Sequence, residues 1–286
     1  MKFLNPYRLF FFLPVLLFCL FVIPASSQKI ALVSPENGEL NKNFVQTLEN
    51  SFADKIKIVD SSLAATIFKV SNFETPFNLT TEQSKNLGAA IGCNYLVLIK
   101  AENLRRSTFE RKEFYEAYAS LFLVSSRTGR LVFWELINFE ENSSAEAEQK
   151  LLASVPAAAK KLSDQIKPTE QTELSEKNQE INQPPLSGSP EAENFRPPLP
   201  YRRISPEYTK IASLYNVAAT IDILVDIDAD GGILRTEIIR WAGFGLDEAV
   251  EQTVRRMNWR PADRNGKPLP VRVLLRYNFK NIESDE

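Results

Sequence analysis

The sequence predicts an α+β protein with two folded units, an N-terminal α/β domain with a mixed sheet and a small C-terminal ββαβ domain. Three observations predict it. Helical and alternating apolar patterns interleave over residues 28–166. Residues 167–200 are mostly Glu, Gln, Asn, Ser and Pro, a composition that cannot offset its own ordering entropy and reads as a disordered linker. Beyond it, over residues 201–286, a shorter set of alternating runs begins. At 286 residues the chain is long enough for two separate cores.

The first elements follow from periodicity. Lys29 to Val33 suits a short strand, and Phe44, Val45, Leu48 and Phe52 share one face of a helix. Ile56 to Val59 reads as a second strand and Ser61 to Val70 as a short helix. Thr80 and Gln83 form a capping box that starts a helix bearing Leu87, Ala90 and Ile91. Tyr95 to Ile99 is a buried strand. Phe114 to Val124 and Leu131 to Phe139 form a hairpin across Ser125–Arg130. Leu151, Val155, Ala158, Leu162 and Ile166 mark a closing amphipathic helix.

In the second unit, Ile221, Ile223, Val225 and Ile227 alternate with polar residues as a half-buried strand. Asp230-Gly231-Gly232 gives a turn that tolerates positive φ, and Ile233 to Trp241 returns as the partner strand. Gly243 and Gly245 break the chain. Leu246, Ala249, Val250, Val254 and Met257 define a helix face, and Pro261 marks its end. Asn265-Gly266 turns the chain into a last alternating strand, Val271, Val273, Leu275, Tyr277 and Phe279. A short helical lead-in covers Glu207 to Leu214.

At the N-terminus, Lys2 and Arg8 precede an apolar run from Leu9 to Ile23, and Pro24-Ala25-Ser26-Ser27 follows. This is the layout of a secretory signal. The run falls short of the ~20 residues that span a bilayer comfortably, and Pro14 interrupts it. Residues 1–27 are therefore expected to be a signal peptide, or a membrane anchor if uncleaved. The expected location is the periplasm, with tethering to the inner membrane as the alternative. Removing the signal leaves Cys93 as the one thiol, so the fold rests on its cores rather than on disulfides.

Composition narrows the function. Lys and Arg number 34 against 36 Asp and Glu, and this balance gives no support to nucleic-acid binding. The absence of histidine removes the commonest general base and metal ligand. No nucleophile motif, phosphate-cradling loop or Cys/His spacing is present. The chain is therefore expected to be no enzyme and to need no cofactor or metal. Asp226, Asp228, Asp230, Gly231 and Glu237 satisfy the EF-hand calcium-loop pattern. The β-branched alternation before Asp226 favours a strand where that loop needs a helix, and the motif is set aside.

Several offset motifs in the second unit resemble the TonB C-terminal domain family. Tyr208-Thr209-Lys210-Ile211-Ala212 stands where the family has Tyr-Pro-x-x-Ala, and Asp228-Ala229-Asp230-Gly231 at its Asp-x-Asp-Gly hairpin. Leu246-Asp247-Glu248-Ala249 matches the family's helix start. Trp259 and Pro261 match its Trp…Pro-Ala stretch with the tryptophan displaced. Gly266 and Pro268 sit in a close match to Asn-Gly-Lys-Pro-Val-Pro-Val. The family's usual Pro is Thr209 here, and a usual Gly before the first strand is Ala219. The first unit, through Leu87–Leu98, is similar to the periplasmic TolB N-terminal and CsgG-like domains, which serve as assembly modules.

The resemblance implies a mechanism. The last strand, Val271, Arg272, Val273, Leu274, Leu275, Arg276 and Tyr277, would lie at a sheet edge and take an extended segment of an envelope protein, such as a TonB-dependent outer-membrane transporter. Arg272, Arg276 and Lys280 would favour an acidic partner or guard the edge. Pairing of that edge with a second copy would give a homodimer. The alternative is a membrane-anchored energy transducer that couples a proton-driven motor to outer-membrane transport. The missing histidine and the short apolar run depart from that pattern.

Overall fold

The computed structural model describes residues 28–52, 56–175, 181–185 and 188–280. The expected signal or anchor at 1–27 lies outside the described residues, as do 176–180 and 186–187 of the expected linker.

The first unit is built on β1 (Gln28–Val33), α1 (Glu39–Ser51), β2 (Ile56–Ile58), α2 (Ser61–Ser71), α3 (Thr81–Ile91), β3 (Tyr95–Arg106), β4 (Phe114–Ser125), β5 (Leu131–Glu141) and α4 (Ser144–Ser175). Its sheet runs β2-β1-β3-β4-β5. β1 is parallel to β2 and β3, and the rest is antiparallel, so the sheet is mixed as expected. α1 and α4 cover one face around Phe44, Leu48, Leu121, Leu151 and Leu162, all fully buried. The capping box at Thr80 and Gln83 is formed in both directions, which fixes where α3 begins.

α4 runs past the expected boundary at 167 and continues through Pro168 to Ser175. The carboxylates that read as linker composition find distant partners: Glu173 accepts from Arg127 and Thr128, and Glu170 from Gln28. The other end of the expected linker is also structured. β6 (Phe195–Arg196) and β7 (Leu199–Pro200) pair with strands of the second unit. Proline is tolerated there because both are edge strands of two residues.

The second unit comprises α5 (Lys210–Leu214), β8 (Ala219–Ile227), β9 (Ile233–Arg240), α6 (Leu246–Arg255), β10 (Trp259–Arg260), β11 (Ala262–Arg264), β12 (Lys267–Leu269) and β13 (Val271–Phe279). The main sheet is β13-β8-β9, with α6 packed on the apolar face through Leu246, Val250 and Val254. The small β10, β11 and β12 strands are additions to the expected ββαβ order.

The two units share one apolar cluster. Asn78, placed just before α3, bridges them: its Nδ2 donates to Thr220 O (2.9 Å) and Trp241 O (2.6 Å), and its Oδ1 accepts from Thr220 N (2.9 Å). Leu79 O accepts from Trp241 N, and Thr80 forms a bridge with Arg240. Trp241, 1% exposed, donates its Nε1–H to Gly129 O. Phe244 lies 4.8 Å from the Trp134 ring. Gly243 has φ +71°, and a Cβ there would stand 2.7 Å from Trp134 and 2.9 Å from Phe122. Only glycine allows this approach without displacing a ring.

Candidate partner-binding site

The candidate site is the outer edge of β13. Its inner edge pairs with β8 in unbroken antiparallel register from Val271↔Ile227 to Phe279↔Ala219. In such a ladder, alternate residues turn their backbone groups away from the partner. Arg272 N donates outward to Asn182 O, which fixes the phase. The backbones of Leu274, Arg276 and Asn278 therefore face away from β8. Among the described residues, no hydrogen-bond partner meets their outward N–H groups.

A cavity of about 520 Å³ lies along this edge. Val273–Tyr277 form one wall, the lead-in residues Pro198–Pro200 and Arg203–Ser205 the other, with Met257 and Trp259 between them. Large apolar side chains stand exposed nearby: Leu274 at 52%, Leu199, Tyr201 and Ile204. Burial pushes the Tyr277 hydroxyl pKa up, and Arg203 partly opposes it. At one end of the edge, Asn182 adds a second contact from its Nδ2 to Pro270 O. β9, the opposite edge of the sheet, is already met by the first unit at Arg240.

The basic side chains of β13 do not reach into this groove as free charges. Arg272 forms a bidentate pair with Asp226 (2.6 and 2.8 Å). Arg276 does the same with Asp222 (2.6 and 3.0 Å), which also accepts from Arg240. Burial pushes the Asp222 pKa up, but hydrogen bonds and charge from Arg276 and Arg240 outweigh it and hold the carboxyl below its usual value. Arg272 and Arg276, expected to favour an acidic partner or guard the edge, are thus each paired with a carboxylate of β8 directly across the ladder. The same pairing takes Asp226 out of the calcium-loop pattern. Asp228 accepts from Asp230 N and Gly232 N, so its role is to shape the turn.

The other motif residues hold the domain together. Tyr208 donates its hydroxyl toward Ala212 O and Val217 O and stacks on Phe279, tying the lead-in to the end of β13. Thr209, standing for the family's Pro, accepts from Ala212 N as the N-cap of α5 and donates to Phe244 O (2.6 Å). Gly231 has φ +88°, and a Cβ there would stand 2.1 Å from Trp259 O. Leu246 is fully buried, Ala249 lies half-buried beside it, and Trp259 is 3% exposed. Pro261 joins β10 to β11, and Gly266 (φ +76°) follows Asn265 in the turn to Pro268 on β12. Asp247 accepts from Ala242 N and Gly243 N. Burial pushes its pKa up to about 7 against those two hydrogen bonds.

Residues 204–281 match the family model for the Gram-negative bacterial TonB protein C-terminal, and this part of the chain is a TonB C-terminal-like domain. Among solved structures, the Pseudomonas aeruginosa TonB C-terminal domain is 20% identical, with 32% of this chain and 89% of that chain covered and a TM-score of 0.27. The hypothetical protein CT253 from Chlamydia trachomatis is 12% identical over 46% and 95%, with a TM-score of 0.31. The LpoB C-terminal domain from Salmonella enterica is 12% identical over 40% and 82%, with a TM-score of 0.26. Values this low carry no functional argument. A search of curated proteins finds no match. Among the described residues, no helix is long and apolar enough to cross a membrane.

Proposed function

We propose that the protein is a cell-envelope binding module that docks one extended segment of a partner protein onto the outer edge of β13. The observation that carries this reading is the run of outward backbone groups at Leu274, Arg276 and Asn278, set in a groove with exposed apolar lips. Strand addition takes its affinity from main-chain hydrogen bonds and its selectivity from alternate side chains. With Arg272 and Arg276 already paired, selectivity here comes from apolar contact with Leu199, Ile204 and Leu274. The incoming segment displaces Asn182 from Arg272 N. The partner is an envelope protein with an unstructured segment, such as an outer-membrane transporter, and binding involves no chemistry. A second copy presenting its own β13 is a rival occupant that sedimentation at rising concentration detects.

Proline scanning tests the proposal because the ladder phase gives neighbouring residues opposite outcomes. Leu274→Pro removes an outward N–H and leaves the ladder with β8 complete, so it abolishes partner capture while the domain stays folded. Val273→Pro removes a ladder donor and unfolds the domain. Unchanged capture by folded Leu274→Pro rejects β13 as the docking edge.

A further inference from the structure

Residues 176–194 carry the chain from the end of α4 at Ser175 to β6 at Phe195, and one point of this stretch rests on the candidate docking edge. Asn182 O accepts from Arg272 N (3.0 Å), and Asn182 Nδ2 donates to Pro270 O (3.2 Å). Among the described residues, no other hydrogen bond joins this stretch to β13 or to Pro270. Pro184 and Pro185 follow closely and have no N–H to donate, so the pairing cannot lengthen in that direction. An added strand would meet four outward amides, at Arg272, Leu274, Arg276 and Asn278. Asn182 takes the first of them alone.

The fold fixes both ends of the stretch. Upstream, Glu173 near the end of α4 accepts from Arg127 and Thr128 in the β4–β5 turn. Downstream, Asn194 O accepts from Asn265 N, and Arg196 of β6 pairs with Asp263 (2.8 Å). Asn182 is thus an intramolecular ligand of the edge, with an effective concentration on the order of millimolar. Two hydrogen bonds at that concentration close one end of β13, yet give way to a segment that bonds along the whole strand. Asn182 is exposed and bonds to nothing else among the described residues, so its contact supports no other part of the fold.

We propose that residues 181–183 are an autoinhibitory strap, which closes the Arg272 end of the docking edge in the free protein and must be displaced before a segment pairs along its full length. The proposal rests on β13 as the docking edge, and its test separates the two. Amide exchange of the free full chain comes first. Arg272 exchanges more slowly than Leu274, Arg276 and Asn278. Asn182→Asp turns a carboxylate toward Pro270 O, and Asn182→Gly removes the side chain. Each speeds Arg272 exchange about threefold or more, as the loss of one hydrogen bond implies, without lowering the melting temperature. Binding follows by fluorescence anisotropy with a fluorescein-labelled octapeptide of alternating valine and threonine, uncharged and prone to form a strand. Both variants bind it about threefold or more tightly than the wild type, and adding Leu274→Pro abolishes binding in all three proteins. An Arg272 amide as fast as the other three, exchange that the variants leave unchanged, or faster exchange with unchanged peptide affinity overturns the strap. A peptide that binds none of the proteins, or binds despite Leu274→Pro, overturns the docking reading and the strap's inhibitory role with it, even where Arg272 exchange responds.

Discussion

Asn78→Ala isolates the joint between the two units. The side chain makes three hydrogen bonds across it, two to Thr220 and one to Trp241 O, and is itself 6% exposed. Each bond contributes about 1 kcal/mol net, and a donor stranded without a partner costs a further 1–3 kcal/mol or so. Thr220 is half-exposed, so water satisfies part of what the side chain leaves behind. The expected loss is therefore ~3 kcal/mol, near the sum of the three bonds. Urea unfolding of the full chain, followed by tryptophan fluorescence, reads it directly. Trp134 lies on one side of the joint, and Trp241 and Trp259 on the other. The wild type unfolds in one transition, whereas the variant loses the second unit at lower urea. A change under about 0.5 kcal/mol, the scatter of ordinary surface substitutions, would refute the assignment of Asn78 as the bridge.

Further outcomes follow from the same contacts. Gly243→Ala places a Cβ against Trp134 and Phe122 at a left-handed φ and costs about 2–4 kcal/mol, measured by thermal melting; a neutral substitution would contradict the tight approach. The depressed Asp222 pKa gives stability that is present above the unfolded carboxylate value near 3.9 and is lost as pH falls through the lower folded value. Asp222→Asn should therefore reduce the acid dependence of the urea midpoint below about pH 4. Asp247 has the opposite sign: its folded pKa of about 7 lies above the unfolded value, so its contribution is full below about pH 4 and is lost as pH rises to 7. Asp247→Asn keeps an oxygen for the Ala242 and Gly243 amides and flattens that window; an unchanged slope would argue against protonation of Asp247.

The elements whose signals are local were legible in the sequence. Thr80 and Gln83 cap their helix through bonds three residues apart, and the alternation of Ile221 to Ile227 and of Val271 to Phe279 places both strands correctly. The pairing that neutralises Arg272 and Arg276 was also encoded: both arginines and Asp222 and Asp226 are four residues apart. Their meeting depends on register, which spacing alone does not give. The run of α4 past Pro168 was hidden because Glu170 and Glu173 depend on Gln28, Arg127 and Thr128, remote in sequence. The joint was hidden for the same reason. Trp241 read only as the end of the returning strand and Phe244 carried no signal, and only the fold brings them against Phe122, Trp134 and Gly129.

The most direct test of docking on β13 is residue-resolved amide exchange of the full chain, free and with its captured partner segment bound. Strand addition predicts strong new protection at Leu274, Arg276 and Asn278, with little change at Val273, Leu275 and Tyr277, which already bond to β8. Protection that appears elsewhere while those three outward amides exchange at their free rates would contradict it.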